Sequence, residues 1–393
     1  MNIFIHPVTC SVSGEDGRIL AIYWNGVKAA MADPKMKIMI VGALGAVGRS
    51  ALEHFESLPE WEIVGVSRRT PDFETRAEWV SVDLRDTTDC ATKFSQISGV
   101  THIAYAAVYE KADVTRGWAE KDHVEINLQM LQNVVLNLER PGHDLQHITI
   151  LQGTKAYGAH LGPFRMPARE SDPRYMPPNF YYDQMDWLAE QQIGKDWRWT
   201  ILRPQIVCGL ALGSPLNVVS AIGVYAAISK ELNMPLRFPG GLEKIGEATD
   251  ARLIARGLEW AATSPAAANE SFNITNGDVY IWQNLWPSIA ELFKMPSAPA
   301  NPFSLARIMP QNESVWDRIV EKHDILPHAY QNVVPSWQFA DYLLGYGQRP
   351  NAHHVSTIKI RKAGFHDCVD TEEMFIDLLT QLQRRRIIPS YGD

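Results

Sequence analysis

The chain has 393 residues, 46% of them hydrophobic and 21% charged, with a formal net charge of −8. That balance is typical of a folded globular protein, long enough for one large domain or two smaller ones. The acidic charge argues against nucleic acid or an anionic membrane as partner, and no apolar run approaches the ~20 residues of a membrane span.

The first 35 residues fit no element. Their apolar pieces are short and broken by Gly14, Glu15, Asp16 and Arg18. They lack the basic start and continuous apolar core of a signal peptide. Residues 1–35 are therefore expected to be a poorly ordered, dispensable extension. Cys10, Cys90, Cys208 and Cys368 lie far apart, without metal or redox spacing. They read as reduced thiols of a cytoplasmic protein. His353-His354 has no acidic or cysteine companion in the sequence, so no metal site is expected.

From Lys37 onward the chain alternates. Strands are expected at 37–41, 62–67, 79–82, 101–107, 147–152, 199–203 and 272–275. Helical spacing follows Val47, Ala51, Leu52 and Phe55, and recurs at roughly 117–139, 218–232, 251–262, 282–293 and 315–322. Strands alternating with helices give a doubly wound parallel sheet, an α/β Rossmann architecture, with a smaller, mainly helical C-terminal portion. Residues 36–210 are expected to form the nucleotide-binding core. Residues 211–393 would complete that core and form the substrate pocket.

Between the first strand and the first helix stands Gly42-Ala-Leu-Gly45-Ala46-Val47-Gly48. The first glycine permits the tight turn, the second lets backbone approach a pyrophosphate, and the third lets helix pack on strand. The helix start, with Ala46 and Val47, would face the phosphates. A carboxylate ending the second strand would favour NAD. Here Ser67 is followed by Arg68 and Arg69, and arginine forks suit a 2′-phosphate, so the cofactor expected is NADP(H). Asp83 and Leu84 after the third strand fall beside the adenine. Ala106 and Ala107 leave room next to the cofactor, and Gln152, Pro204 and Ile206, after later strands, complete the set.

The GxxGxxG layout resembles the extended short-chain dehydrogenase/reductase superfamily. That superfamily usually places a serine after the fifth strand and Tyr-x-x-x-Lys in the next helix. Here Gly153 falls at the serine, Tyr182 at the tyrosine and Asp186 at the lysine. The pieces Gln152-Gly-Thr-Lys155-Ala-Tyr157, Gly162-Pro-Phe164, Asn179-Phe-Tyr-Tyr182, Arg203-Pro204 and Phe272-Asn-Ile-Thr-Asn-Gly-Asp278 resemble the progesterone 5β-reductase/iridoid synthase-like enone reductases. The resemblance covers about residues 36 to 390.

It implies NADPH-dependent reduction of a C=C bond conjugated to a carbonyl, with Tyr182 and Lys155 as the catalytic pair. A phenol can hydrogen-bond the developing enolate, and an ammonium can stabilise the anionic side of the site. Tyr181 is one residue from Tyr182 and stays open as the alternative tyrosine. Tyr157, Phe164 and Tyr181 are expected at the substrate pocket. Asn127 is a candidate to tie backbone to the catalytic region. The segment 303–342, rich in Trp and Phe, would form a lid. Met185 replaces a family glutamate, which leaves the enone itself unassigned. A carbonyl reductase or epimerase of the same fold, or a non-catalytic NADP(H) sensor, are the alternatives. A homodimer, common in such folds, stays open.

Overall fold

A computed structural model describes residues 36–110, 120–241, 243–347 and 353–392. The expected extension 1–35 lies outside them, as does Cys10. Seven strands make one sheet: β1 (Met36–Val41), β2 (Trp61–Ser67), β3 (Glu78–Ser81), β4 (His102–Tyr105), β5 (His147–Leu151), β6 (Arg198–Pro204) and β7 (Glu270–Ile274). Their order is β7-β6-β5-β4-β1-β2-β3, every pair parallel.

Alternation along a strand sends successive side chains to opposite faces. Ile38 and Ile40 of β1 join a core with helix α1 (Ala46–Glu56), while Met39 and Val41 join another. The second core takes its helical wall from α2 (Thr87–Phe94), α3 (Lys121–Leu138) and α4 (Phe180–Gln192). Both faces are thus covered, as parallel sheets require. Phe55 of α1 is fully buried against Trp61, ring centroids 4.9 Å apart.

The second half of the chain contributes to both parts. Helix α5 (Val218–Glu231) heads a separate helical core that includes Trp286, Trp316, Tyr330 and Trp337. Helix α6 (Ala251–Thr263) and β7 return to the sheet and pack with α1. Of the Trp- and Phe-rich segment expected as a lid, Trp316, Tyr330 and Trp337 are buried in that helical core. Among the described residues no helix is long and apolar enough to cross a membrane.

Strand order reverses between β1 and β4. The crevice beyond their carboxyl ends is where such sheets bind ligands.

Candidate active site

Gly42 turns the chain out of β1 with φ +87°, and its N–H donates to Val66 O at 2.9 Å. A Cβ there would stand 2.9 Å from Ala106 C and Ala107 N. A Cβ at Gly48 would meet Gly42 O at 2.1 Å, which explains why α1 can lie so close to β1. Gly45 is the N-cap of α1, and neither a capping side chain nor an acidic residue occupies the first turn. The N–H groups of that turn therefore remain available for an anion. This cradle fits the pyrophosphate of a dinucleotide.

Ala46 sits at the start of α1, and Val47 turns into the core. Ser67 ends β2, and Arg68 and Arg69 are exposed just beyond. Their carbonyls accept from Ser81 Oγ (3.0 Å) and Trp79 Nε1 (3.1 Å), which fixes the turn. Asp83 is bridged by Arg85 at 2.6 Å, and that hydrogen bond is the first cause holding its carboxyl below the usual range. Leu84 is buried, and Ile206 lies on a short strand paired with Ala248.

Beyond β5 the chain passes Gly153 into a single 3-10 turn, Thr154–Tyr157, that carries Lys155. Asn179 caps α4 and ties the helix to this turn. Its Oδ1 accepts from Tyr181 N (3.1 Å) and its Nδ2 donates to Lys155 O (2.8 Å). A Cβ at residue 153 would lie 3.5 Å from the Tyr181 hydroxyl, so the phenol stands beside Gly153. Burial, and next the Glu110 carboxylate, push the Tyr181 phenol up, so it stays protonated and able to donate. Burial lowers Lys155 to about 8, and Glu110 opposes that shift.

The candidates around this turn meet the following partners. The Tyr182 hydroxyl donates to Ala156 O (2.9 Å) and accepts from Tyr175 N (3.0 Å), so both bonds serve the loop that precedes α4. Gln152 Nε2 donates to Tyr181 O (2.8 Å) and its Oε1 accepts from Arg203 Nε (3.2 Å). Tyr157 and Phe164 are buried in a small core with Ala168 and Val355, and the Tyr157 hydroxyl donates to Asn273 Oδ1 (2.6 Å). His354 does have an acidic companion, Glu247, with Nδ1 and Oε1 3.4 Å apart.

The remaining residues singled out from the sequence are placed as follows. Pro204 ends β6, and its carbonyl oxygen would be 3.7 Å from a Cβ at Gly153. Asn127 holds both backbone groups of Tyr109, at 2.8 and 3.0 Å, just after β4. Asp186, at the usual lysine position, points outward and pairs with Arg174 at 2.6 Å. Met185, in place of the family glutamate, accepts from Arg203 Nη2 at 3.8 Å. Glu110 was not singled out by sequence. A lone carboxylate after a strand carries no periodic or motif signal.

Comparison with known proteins first identifies the class. A Thermus thermophilus UDP-glucose 4-epimerase, solved with NAD, matches with a TM-score of 0.59 at 15% identity, over 88% of this chain and 99% of that one. A Thermotoga maritima UDP-glucose 4-epimerase, solved with UDP-glucose, matches with a TM-score of 0.61 at 14% identity, over 89% and 99%. These likenesses establish the fold, a Rossmann-type α/β fold shared with those epimerases.

Sequence relatives narrow it. The (S)-8-oxocitronellyl enol synthase CYC2 of Camptotheca acuminata is 32% identical over 92% of this chain and 95% of its own. The 3-oxo-Delta(4,5)-steroid 5-beta-reductase of Arabidopsis thaliana is 31% identical over 89% and 92%. A PRISE-like Rossmann-fold domain matches residues 81–353, and the chain belongs to that family. It is an oxidoreductase of that family.

Proposed function

We propose that the protein reduces the C=C bond of enones with NADPH, and that Tyr181, not Tyr182, works with Lys155. The observation that carries this reading is the Gly153–Tyr181–Lys155 arrangement. A buried, protonated phenol stands beside Gly153 and a turn that brings the lysine in from a different element than usual.

The cofactor would be held by the Gly42–Gly48 cradle, Ala106 and Ala107, with Arg68 and Arg69 at a 2′-phosphate. When bound, it supplies hydride to the β-carbon. The chain's own residues handle the charge that follows. The Tyr181 hydroxyl donates to the carbonyl oxygen as that oxygen becomes an enolate, where a preorganised donor contributes most. The Lys155 ammonium stabilises the same negative charge across a site with little competing water. Gln152 and Asn179 fix the backbone of Tyr181 through its C=O and N–H, bonds that do not change during the reaction. The relatives named above support the enone class, one being a steroid 5-beta-reductase and one an enol synthase.

The test is NADPH consumption with 2-cyclohexen-1-one and bulkier enones, with product identification. A saturated ketone supports the reading. An allylic alcohol would make the enzyme a carbonyl reductase instead.

A further inference from the structure

Residues four apart on a helix share a face. Tyr182 and Asp186 do so on α4, and both meet Arg174. The Arg174 guanidinium grips Asp186 with two bonds, Nη1 to Oδ2 at 2.7 Å and Nη2 to Oδ1 at 2.6 Å. Its Cζ also stands 5.0 Å from the centre of the Tyr182 ring. The next residue is held as well. The Tyr175 N–H donates to the Tyr182 hydroxyl at 3.0 Å, and that hydroxyl donates in turn to Ala156 O at 2.9 Å, within the turn that carries Lys155. Gly158 closes this turn with φ +79°, and a Cβ there would stand 2.6 Å from Tyr175 Cγ. The Tyr175 ring therefore lies directly against the turn. Tyr175 is nevertheless 37% exposed and Met176 76% exposed. Large apolar side chains kept at the surface beside a site point to an apolar ligand.

We propose that Arg174 is a positioning residue for substrate choice: clamped to Asp186 and lying over Tyr182, it holds Tyr175 and Met176 as an apolar wall beside the Lys155 turn, and this wall takes the apolar extension of a bulky enone. The inference rests on that turn being catalytic, as in the function proposed above. The occupant follows from where the wall stands. It is continuous with the Lys155 turn, so what lies on it is the part of a substrate that extends beyond its enone. A guanidinium suits the task, because its planar fork fixes direction as well as distance while its face stacks on a ring. The Arg174 and Asp186 side chains are 40% and 55% exposed, and an ion pair that open to water contributes little to global stability. Its consequence is local: it decides where the wall stands. Asp186 thereby has a use at the position where folds of this class usually have lysine.

The experiment measures, by calorimetry, the binding of 2-cyclohexen-1-one and its 4-alkyl derivatives, from methyl to hexyl, to full-length protein in the presence of NADP⁺. In wild type the affinity should rise with chain length, by up to about fourfold for each methylene that reaches the wall. In Arg174→Met the unsubstituted ring should bind within about twofold of wild type, while most of the gain with chain length is lost. Asp186→Asn should reproduce that loss, and the double variant should be no worse than either single one, since both open the same clamp. A chain-length dependence unchanged in Arg174→Met overturns the proposal. So does a loss shared equally by the unsubstituted ring, losses that add in the double variant, or wild-type binding that ignores chain length. Wild-type protein that binds these enones and reduces none overturns the functional reading instead, and the binding series still decides the role of Arg174.

Discussion

The Tyr181 hydroxyl stands beside Gly153, 3.5 Å from where a Cβ of residue 153 would lie, so the phenol faces the position where folds of this class usually put a serine. The neighbouring tyrosine is spent elsewhere, on Ala156 O and Tyr175 N. The two phenols therefore separate experimentally. Tyr181→Phe should lower kcat by about 10²–10³, the cost of losing one oxyanion donor, with little change in stability. Tyr182→Phe should keep kcat within a few-fold and lower stability by about 1–3 kcal/mol, since it strands two backbone groups. Steady-state rates and urea midpoints on both variants decide the assignment. The reverse pattern would return the role to Tyr182.

The same relationship predicts that the missing serine can be put back. Gly153 has φ −139° and ψ −169°, extended backbone open to any residue. Its nearest neighbours to an added Cβ are at 3.5 and 3.7 Å, ordinary contacts. Gly153→Ser should fold, with stability equal to the wild type or higher by about 0.4–1 kcal/mol through loss of unfolded-state freedom. Because the bonds of Gln152 and Asn179 to the Tyr181 backbone remain, kcat should stay within about tenfold, a span of roughly 1.4 kcal/mol. A collapse in thermal stability would show that the turn tolerates only glycine.

How far the sequence could be read follows from which signals are local. The sheet, α1 and the glycine cradle were legible because strand alternation, helical spacing and a glycine at a crowded turn each depend on a few neighbouring residues. The choice between Tyr181 and Tyr182 was not. Adjacent helical residues differ by about 100° in direction, so the one facing Gly153 depends on how α4 docks. Docking is set by Asn179 and Gln152 reaching across to other elements. The Gln152 bond to Arg203, 51 residues away, was equally out of reach of local pattern. The His354–Glu247 contact spans a still longer stretch of chain and leaves no spacing to recognise.

Arg68 and Arg69 lead to a prediction about cofactor choice. Both are exposed beyond β2, on a turn whose carbonyls are fixed by Ser81 and Trp79. A guanidinium there can grip a 2′-phosphate by paired charge-assisted bonds, worth about 1.5–3 kcal/mol each. Arg68→Ala with Arg69→Ala should weaken NADPH binding by about 10²-fold or more and leave NADH binding nearly unchanged. Titrating each cofactor by fluorescence quenching measures the ratio directly. Equal losses for the two cofactors would mean that the arginines shape the turn and do not read the phosphate.

Stability in acid should be governed in part by two histidines that face each other across β4 and β5, His102 and His147. Burial depresses His102 to about 4 and His147 to about 3, and the charge of His102 lowers His147 further. The hydrogen-bond partner of His147 sets which ring nitrogen carries the proton. Thr200 Oγ1 donates to Ala267 O, so it must accept from His147 Nε2 at 3.0 Å, which leaves that nitrogen carrying the proton. In the unfolded chain both rings titrate near 6.5. Their contribution is therefore fully present above pH 6.5 and is lost as pH falls from there toward 4, where the unfolded state binds protons that the folded state refuses. Each ring should contribute a slope of up to about 1.4 kcal/mol per pH unit in that window. Urea midpoints from pH 7.5 to 4.5 should fall steeply in wild type. His147→Gln, which keeps a donor for Thr200, should remove about one histidine's share of the slope. A slope unchanged in that variant would place acid sensitivity with the carboxylate pairs instead.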